Sequence, residues 1–307
     1  RKELNVHVLV TGGTGFIGSA LVQSLLERGD QVSVTSRKAD RVQKVFGDRV
    51  KAVEWDPMGG PLPAEALAGV DGIVNLAGDN IAKGRWTKAK KRRLRESRVV
   101  GTRNLVAGIR AADPRPKVLV STSAIGYYGD QEHRALHEGA PNEGDFLGEL
   151  CQAWENEAVA AREDDVRVPI VRIGIVLGKG GGAYPPLRRI FKMFAGGPIG
   201  LVKAWMRWIH LDDVIGIFLH CLDDENARDI YNATAPNPVP NSKFTAEMAR
   251  TLHRPALAPV PPFMLRVVLG EFGKHANDSQ KVMPLRTIGL GYNFKYSEIG
   301  DALEALA

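Results

Sequence analysis

The sequence predicts an α/β protein built on a doubly wound parallel sheet, with a smaller C-terminal lobe. Two observations support this prediction. The first half of the chain alternates short β-rich runs with helical patterns, which is typical of parallel strands joined by helices. The second half loses this alternation, and after residue 235 prolines interrupt short helical segments. We expect the lobe to lie over the carboxyl edge of the sheet, where open α/β sheets bind their ligands.

The composition is that of a globular chain without a membrane anchor. Of the 307 residues, 44% are apolar and 25% are charged. No run of about 18 apolar residues is present, and residues 1–5 lack the apolar stretch of a secretory signal. Cys151 and Cys221 do not resemble a disulfide framework, which favours a reducing compartment. We expect a cytoplasmic protein. The alternative is an organelle, because the chain starts at Arg1 and not at Met, which suggests that an upstream segment was trimmed.

Hydrophobic periodicity locates the elements of the sheet. Strands are predicted at 7–10, 32–35, a run ending near 54–56, 72–76, 117–121 and 168–176. Helices are predicted at 18–28, 87–112 and 146–162. Further along, 178–182 is predicted as a flexible loop, 186–194 as a helix, and 208–213 as a short strand that turns into a helix. The predicted sheet domain covers 5–175 and about 208–234, and the lobe covers about 176–207 and 235–307.

A glycine-rich turn follows the first predicted strand and opens the first helix. After Thr11 it comprises Gly12, Gly13, Thr14, Gly15, Phe16, Ile17 and Gly18. Gly12 permits the tight turn, Gly15 lets the backbone approach a pyrophosphate, and Gly18 lets the helix pack on the strand. The helix N-terminus adds free N–H groups and a dipole that favours an anion. The turn therefore predicts a Rossmann-type dinucleotide site.

The end of the second strand indicates which dinucleotide binds. An NAD(H) site usually has an acidic residue there for the ribose hydroxyls, whereas this chain has Ser36, Arg37 and Lys38. An arginine can bind a 2′-phosphate through two parallel hydrogen bonds. We therefore predict NADP(H) as the cofactor. Residues at the ends of the third and fourth strands complete the predicted site: Trp55, Asp56, Leu76, Ala77 and Gly78.

Four segments together resemble the extended and atypical short-chain dehydrogenase/reductase superfamily. They are the glycine turn and residues 75–78, 121–123 and 208–213. Residues 196–200, 232–236 and 254–256 are similar to its nucleotide-sugar-epimerase-like branch, an epimerase family with a conserved C-terminal extension. The resemblance spans nearly the whole chain. It implies an NADP(H)-dependent oxidoreductase or epimerase-like enzyme with a small polar substrate, such as a nucleotide sugar or a carbonyl compound.

The same resemblance raises a question about catalysis. In that superfamily a Ser or Thr after the fifth strand hydrogen-bonds the substrate, and a Tyr with a Lys four residues later transfers the proton. The resemblance assigns the first role to Ser123. Residues 145–155, where the pair would lie, contain neither Tyr nor Lys. Tyr127 and Tyr128 are the predicted substitutes, and the alternative is that they only line the wall of the site. Other candidates are Glu149, within the same window, and Lys83 or Arg85, from the preceding loop.

Three function classes stay open. The first is the enzyme described above, and the second is a catalytically silent NADP(H)-binding sensor or interaction module, which the missing pair favours. The third is nucleic-acid binding through nine Lys and Arg residues between 83 and 98. We favour the solvated face of a helix for that stretch, because no aromatic residue beyond Trp86 could stack on bases. A third interpretation is that some of these cations bind an anionic ligand.

Two further expectations concern metals and assembly. His133 and His137 are four residues apart but lie in a loop-like acidic stretch, so we predict no metal site. A homodimer is left open, and we expect a small-molecule substrate as the main partner. The net charge is +6, and much of the excess lies in the basic stretch between residues 83 and 98.

Overall fold

The main sheet has seven parallel strands at the centre of the fold. The computed structural model describes residues 6–131, 134–194, 196–197, 204–256 and 278–307. Seven of its strands are β1 His7–Thr11, β2 Gln31–Ser36, β3 Lys51–Glu54, β4 Gly72–Asn75, β5 Val118–Ala124, β7 Ile170–Ile173 and β12 Ile230–Ala233. They lie in the order β12-β7-β5-β4-β1-β2-β3, and every neighbouring pair is parallel. The strand order reverses between β1 and β4, which places a ligand crevice at their carboxyl ends.

Helices cover both faces of this sheet. Their bounds are α1 Phe16–Arg28, α2 Ala39–Phe46, α3 Lys88–Ala111, α4 Phe146–Val159, α5 Tyr184–Lys192, α6 Leu211–Asp223, α7 Asn241–Leu252, α8 Leu285–Gly289 and α9 Ile299–Leu306. Capping residues define the ends of two of these helices. Gly29, in the left-handed conformation, ends α1, and at the start of α3 the Thr87 hydroxyl accepts a hydrogen bond from the Lys90 N–H. No helix in the described part of the chain is long and apolar enough to cross a bilayer.

Apolar side chains form separate layers around the sheet. Val8 and Val10 point to the layer with α1 and α6, and Leu9 points to the layer with α3, as the alternation along a strand requires. A third cluster joins α5, α7 and α9 around Trp208. Part of the predicted lobe, residues 198–203 and 257–277, lies outside the described residues.

The predicted strand at 168–176 is wrong in one respect, because the structure divides it at Gly174. β8, Ile175–Gly178, joins a second sheet with β9, Gly181–Gly182, and β11, Trp208–His210. The Gly174 N–H donates to Ala233 O at 3.0 Å, whereas the Ile175 N–H donates to Arg207 O at 2.7 Å. The chain therefore changes its hydrogen-bonded neighbour strand at this glycine. The apolar run of the sequence continues through Gly174, so the hydrophobic pattern does not mark the change.

The segment 178–182, predicted as a flexible loop, is a β-hairpin packed on Phe16. A Cβ at Gly178, Gly181 or Gly182 would lie 2.7, 2.6 or 2.9 Å from an atom of the Phe16 ring. The three glycines therefore leave the space in which this ring packs. The remaining short strands form two pairs: β6 Ala135–Leu136 with β14 Lys281–Val282, and β10 Trp205–Met206 with β13 Val239–Pro240.

Asp213 fastens the chain after α8 to the first turn of α6. Its fully buried carboxylate accepts hydrogen bonds from the Tyr292 hydroxyl at 3.0 Å, the Lys295 N–H at 2.7 Å and the Tyr296 N–H at 3.0 Å. Gly216 makes room for the Tyr292 ring, because a Cβ there would lie 2.2 Å from the hydroxyl oxygen. One carboxylate therefore positions the segment that leads into α9.

We expect Asp213→Ala to lower the free energy of unfolding by about 3 kcal/mol, because three donors lose a buried charged acceptor. The matched control is Asp212→Ala, which removes an exposed carboxylate paired with Lys295 at 2.6 Å and costs less than about 1 kcal/mol. Urea denaturation followed by circular dichroism measures both. Equal losses in the two variants would contradict the role assigned to Asp213.

Candidate functional site

The glycine turn joins β1 to α1 in the geometry that its sequence predicts. Gly12 has a φ of +68°, and the Gly15 N–H donates to Gly12 O at 2.9 Å. A Cβ at Gly13 would lie 2.7 Å from Val34, and one at Gly18 would lie 2.3 Å from Gly12 O. Gly15 differs, because it is exposed and its Cβ would meet only Gly12 O at 3.2 Å. Three glycines are therefore required by packing, and Gly15 leaves an open approach to the backbone.

The start of α1 has the features of an anion site. Gly15 is the N-cap and has no side chain to hydrogen-bond the first N–H groups, and the first turn contains no acidic residue. Thr14 and Ile17 are partly exposed beside it. The first N–H groups and the positive end of the helix dipole are thus left for a ligand.

A side-chain hydrogen-bond network ties this turn to the end of β4. The Thr11 hydroxyl donates to Asn75 Oδ1 at 2.7 Å and accepts from the N–H groups of Leu76 and Ala77 at 3.1 and 3.2 Å. A Cβ at Gly12 would lie 2.8 Å from Leu76 O. The two loops that border the crevice therefore form one unit.

The ends of β2 and β3 supply the residues predicted for the adenosine side. Arg37 and Lys38 are exposed directly after Ser36, the last residue of β2. Trp55 is buried, and its indole N–H donates to Gly60 O at 3.0 Å. The carboxylate of Asp56 accepts from the Met58 N–H at 3.1 Å. The structure thus leaves Arg37 and Lys38 accessible, while Trp55 and Asp56 are engaged within their own loop.

Gly78, at the end of the β4 loop, lies against the side chain of Arg98 in α3. A Cβ at this position would lie 3.1 Å from the Cζ atom of Arg98 and 3.2–3.3 Å from its terminal nitrogens. The missing side chain of Gly78 makes room for a guanidinium group of α3.

Ser123 lies in the core at the end of β5 and is held by α4. Its hydroxyl donates to Glu155 Oε1 at 2.6 Å, and Glu155 in turn accepts from Arg172 Nε and Nη2, both at 2.8 Å. All three residues are buried. Since a hydroxyl has one proton, Ser123 can offer a ligand only the lone pairs of its oxygen.

The two tyrosines predicted to replace the missing pair have unequal positions. Tyr128 is fully buried, donates to Asn232 Oδ1 at 2.7 Å and accepts from Arg172 Nη1 at 3.0 Å. Burial raises the pKa of Tyr128 to about 12, so its phenol stays protonated at neutral pH. Tyr127 is half-buried, its hydroxyl donates to Gln152 Oε1 at 3.0 Å, and the Arg172 guanidinium lies 3.4 Å from its ring centroid. Only Tyr127 of the two is partly exposed.

Helix α4 carries no base of the expected type. The residue that faces Ser123 on this helix, besides Glu155, is Cys151. Burial raises the pKa of the Cys151 thiol to about 11, which leaves it protonated and unreactive at neutral pH. The helix begins at Asp145, whose carboxylate accepts from the Gly148 N–H at 2.7 Å.

The sequence did not point to three charged residues at this edge of the sheet, namely Arg98, Glu155 and Arg172. The basic stretch was interpreted as a solvated face, and for Arg98 and Lys90 that interpretation is wrong. Both residues share a helical stripe with the buried Leu94, at intervals of four residues. This spacing is a signal that the count of charges concealed.

Among the residues that the structure describes, no group of three His, Cys, Asp or Glu could hold a metal ion. His133 lies outside the described residues, and the side chain of His137 accepts from the Gly139 N–H at 3.1 Å.

Comparisons with known proteins agree with this architecture. Residues 8–234 match the model of the NAD dependent epimerase/dehydratase family, and residues 260–306 match a domain of unknown function, DUF1731. The Arabidopsis thaliana "Epimerase family protein SDR39U1 homolog, chloroplastic" is 38% identical over 315 residues, which cover 100% of this chain and 88% of the relative.

Two solved structures extend the comparison. Human epimerase family protein SDR39U1 (isoform 2), crystallised with NADPH, superposes with a TM-score of 0.88 at 34% identity, covering 98% of this chain and 99% of that one. A nucleoside-diphosphate sugar epimerase from Corynebacterium glutamicum has a TM-score of 0.80 at 29% identity, covering 99% of this chain and 59% of that one. The chain belongs to the NAD dependent epimerase/dehydratase family.

Proposed function

We propose that this protein binds NADP(H) and is an epimerase-like oxidoreductase for a small polar substrate, such as a nucleotide sugar or a carbonyl compound. The observation that carries the proposal is the uncapped, glycine-lined start of α1 next to the exposed Arg37. The first feature accepts a pyrophosphate, and the second accepts a 2′-phosphate. The human relative crystallised with NADPH supports the same cofactor.

The residues present fit a dinucleotide of this kind. Gly15 offers an exposed backbone without a side chain, and the N–H groups after it have no side-chain cap. Arg37 and Lys38 add two cations at the end of β2, where an acidic residue would repel a phosphate. The crevice between β1 and β4 would hold the rest of the molecule, and the cofactor would supply a hydride acceptor or donor there.

The proton chemistry falls to groups other than a Tyr and Lys of α4. Ser123 would orient a substrate hydroxyl as a hydrogen-bond acceptor, because its own hydroxyl already donates to Glu155. Tyr127 is the proposed proton-transfer group, since its side chain is partly exposed. Tyr128 is proposed as a wall residue that positions Arg172, because its hydroxyl is enclosed between Arg172 and Asn232.

The second candidate is a silent NADP(H)-binding module. It is favoured by α4, which offers only Glu155, bound by Arg172, and the protonated Cys151 near Ser123.

Calorimetric titration with NADPH and NADH tests the cofactor, and NADPH oxidation with a panel of carbonyl compounds and nucleotide sugars tests catalysis. Tight NADPH binding with turnover supports the enzyme. Binding without turnover of any panel member supports the module, and binding of neither dinucleotide excludes both.

For the compartment we propose a reducing one, the cytoplasm or an organelle. Both cysteines are free and buried, and burial raises the pKa of each thiol. The Arabidopsis relative is named as chloroplastic. Such an environment keeps isolated thiols reduced.

We expect Arg37→Asp to weaken NADPH binding by about 100-fold and NADH binding by less than about threefold, because a carboxylate repels the 2′-phosphate that only NADPH carries. Calorimetry gives both dissociation constants. Arg228→Asp is the control, since it makes the same charge change at an exposed site beside the amino end of β12. Equal losses for the two dinucleotides would remove Arg37 from the 2′-phosphate site.

We expect Gly15→Val to abolish binding of both dinucleotides while the chain remains folded, because the new side chain fills the approach to the backbone. Gly18→Ala, by contrast, places a methyl group 2.3 Å from Gly12 O and lowers the melting temperature. Thermal denaturation and calorimetry separate the two effects. Undiminished binding by a folded Gly15→Val protein would disprove the pyrophosphate assignment.

A further inference from the structure

Arg98 is a half-buried cation without a carboxylate partner. Its Nη1 donates to Asp79 O at 3.1 Å and to Leu94 O at 3.2 Å. Nε and Nη2 have no hydrogen-bond acceptor within the described ranges of the chain, and no described carboxylate lies within ion-pair distance of the guanidinium. Burial lowers the pKa of Arg98, and the effects of Cys151 and of the more distant Asp79 carboxylate offset this only in part.

A buried arginine and a half-buried one show how this protein compensates such a charge elsewhere. Arg172 has both oxygens of Glu155 at 2.8 Å. Arg167 donates through both terminal nitrogens to the carbonyls of Cys221, Leu222 and Ala227, at 2.6–2.9 Å near the C-terminal end of α6. A carboxylate neutralises the first, and the negative end of a helix dipole faces the second. Arg98 has neither.

The carboxylate of Asp79, on the adjoining loop, is committed to other cations. It pairs with Lys90 Nζ at 2.8 Å and lies 3.8 Å from Arg93 Nε. These cations hold the pKa of Asp79 below its usual value against the effect of its partial burial. The charge of Arg98 is therefore left for an anion that the chain itself does not provide.

Arg98 also lies beside the loop that follows β4 at the carboxyl edge of the sheet. Its guanidinium occupies the side-chain space of Gly78, two residues after Leu76, which binds Thr11 of the glycine turn. On the other side it lies over the ring of Trp154 in α4, with Cζ 5.2 Å from the ring centroid. Arg98 thus lies between the loop that borders the cofactor turn and the helix that contacts Ser123.

We propose that Arg98 binds an anionic oxygen group, a phosphate or a carboxylate, of a ligand held at this edge of the sheet. The edge of the guanidinium formed by Nε and Nη2 presents two parallel N–H donors, which match two oxygens of such a group. The proposal rests on the proposed function and deepens it. The anion has two sources, the pyrophosphate of the dinucleotide or an acidic group of the substrate.

The test compares Arg98→Gln with Arg93→Gln, which removes the same charge from an exposed position on the same helix. Each protein is titrated calorimetrically with NADPH, and then with inorganic phosphate and with malonate, both with and without saturating NADPH. Gly78→Ala is a second variant, because its methyl group would lie 3.1 Å from the guanidinium carbon and displace the cation without removing it. Thermal denaturation shows that each variant is folded.

We expect Arg98→Gln to lose about tenfold or more in one of the two arms, Gly78→Ala to weaken the same arm, and Arg93→Gln to change neither by more than about twofold. A loss of NADPH affinity assigns the anion to the cofactor. A loss of phosphate or malonate binding with NADPH affinity intact assigns it to the second ligand. Unchanged binding in both arms overturns the proposal. If the unaltered protein binds no NADPH, the proposed function fails, and the phosphate and malonate titrations without NADPH still decide the role of Arg98.

Discussion

The buried ion pair between Glu155 and Arg172 holds the carboxyl edge of the sheet in place. Both hydrogen bonds measure 2.8 Å, and both side chains are almost fully excluded from solvent. Removing one partner of such a pair leaves an uncompensated charge and costs about 3–5 kcal/mol. The pair joins α4 to β7 and, through Ser123 and Tyr128, reaches β5 and the loop that follows it. Tyr128 extends the network to Asn232 on β12.

This pair also determines what the site can do chemically. Both oxygens of Glu155 accept hydrogen bonds from Arg172, and Oε1 also accepts the only hydroxyl hydrogen bond that Ser123 can donate. The oxygen of Ser123 is then an acceptor toward any ligand. A substrate hydroxyl suits such an acceptor, whereas a carbonyl needs a donor, which must come from another group of the site.

The turn and the alternation of strands and helices could be predicted because their causes are local. A glycine that needs a positive φ, such as Gly12, and an apolar strand before it are visible in a short stretch of sequence. The break at Gly174 was missed, because a strand that changes its neighbour keeps its hydrophobic pattern. The packing of Phe16 on the hairpin β8–β9 was missed for a related reason. Three nearby glycines are typical of a flexible loop, and the sequence does not show that an aromatic ring fills the space beside them.

The charged residues of the site were harder to predict than its glycines. Glu155 and Arg172 lie on different elements, and nothing in the sequence indicates that they pair. Arg98 was misinterpreted because nine cations in one stretch were counted together. Its place on the stripe of Leu94 and Leu105, both fully buried, identifies it as an inward cation.

The two halves of the site depend on different parts of the chain, and this separates binding from catalysis. The cofactor turn consists of backbone and of the contact between Thr11 and the β4 loop, so it needs nothing from residues 146–151 of α4. A hydrogen-bonded connection to that helix runs from Asn75 through the Thr102 hydroxyl. This hydroxyl accepts from Asn75 Nδ2 at 3.0 Å and from the Trp154 indole N–H at 2.9 Å. That connection fixes the position of α4 whatever residues face Ser123. A chain can therefore lack Tyr and Lys on α4 and still keep its dinucleotide turn intact, so that cofactor affinity reports on the turn and only turnover reports on the helix.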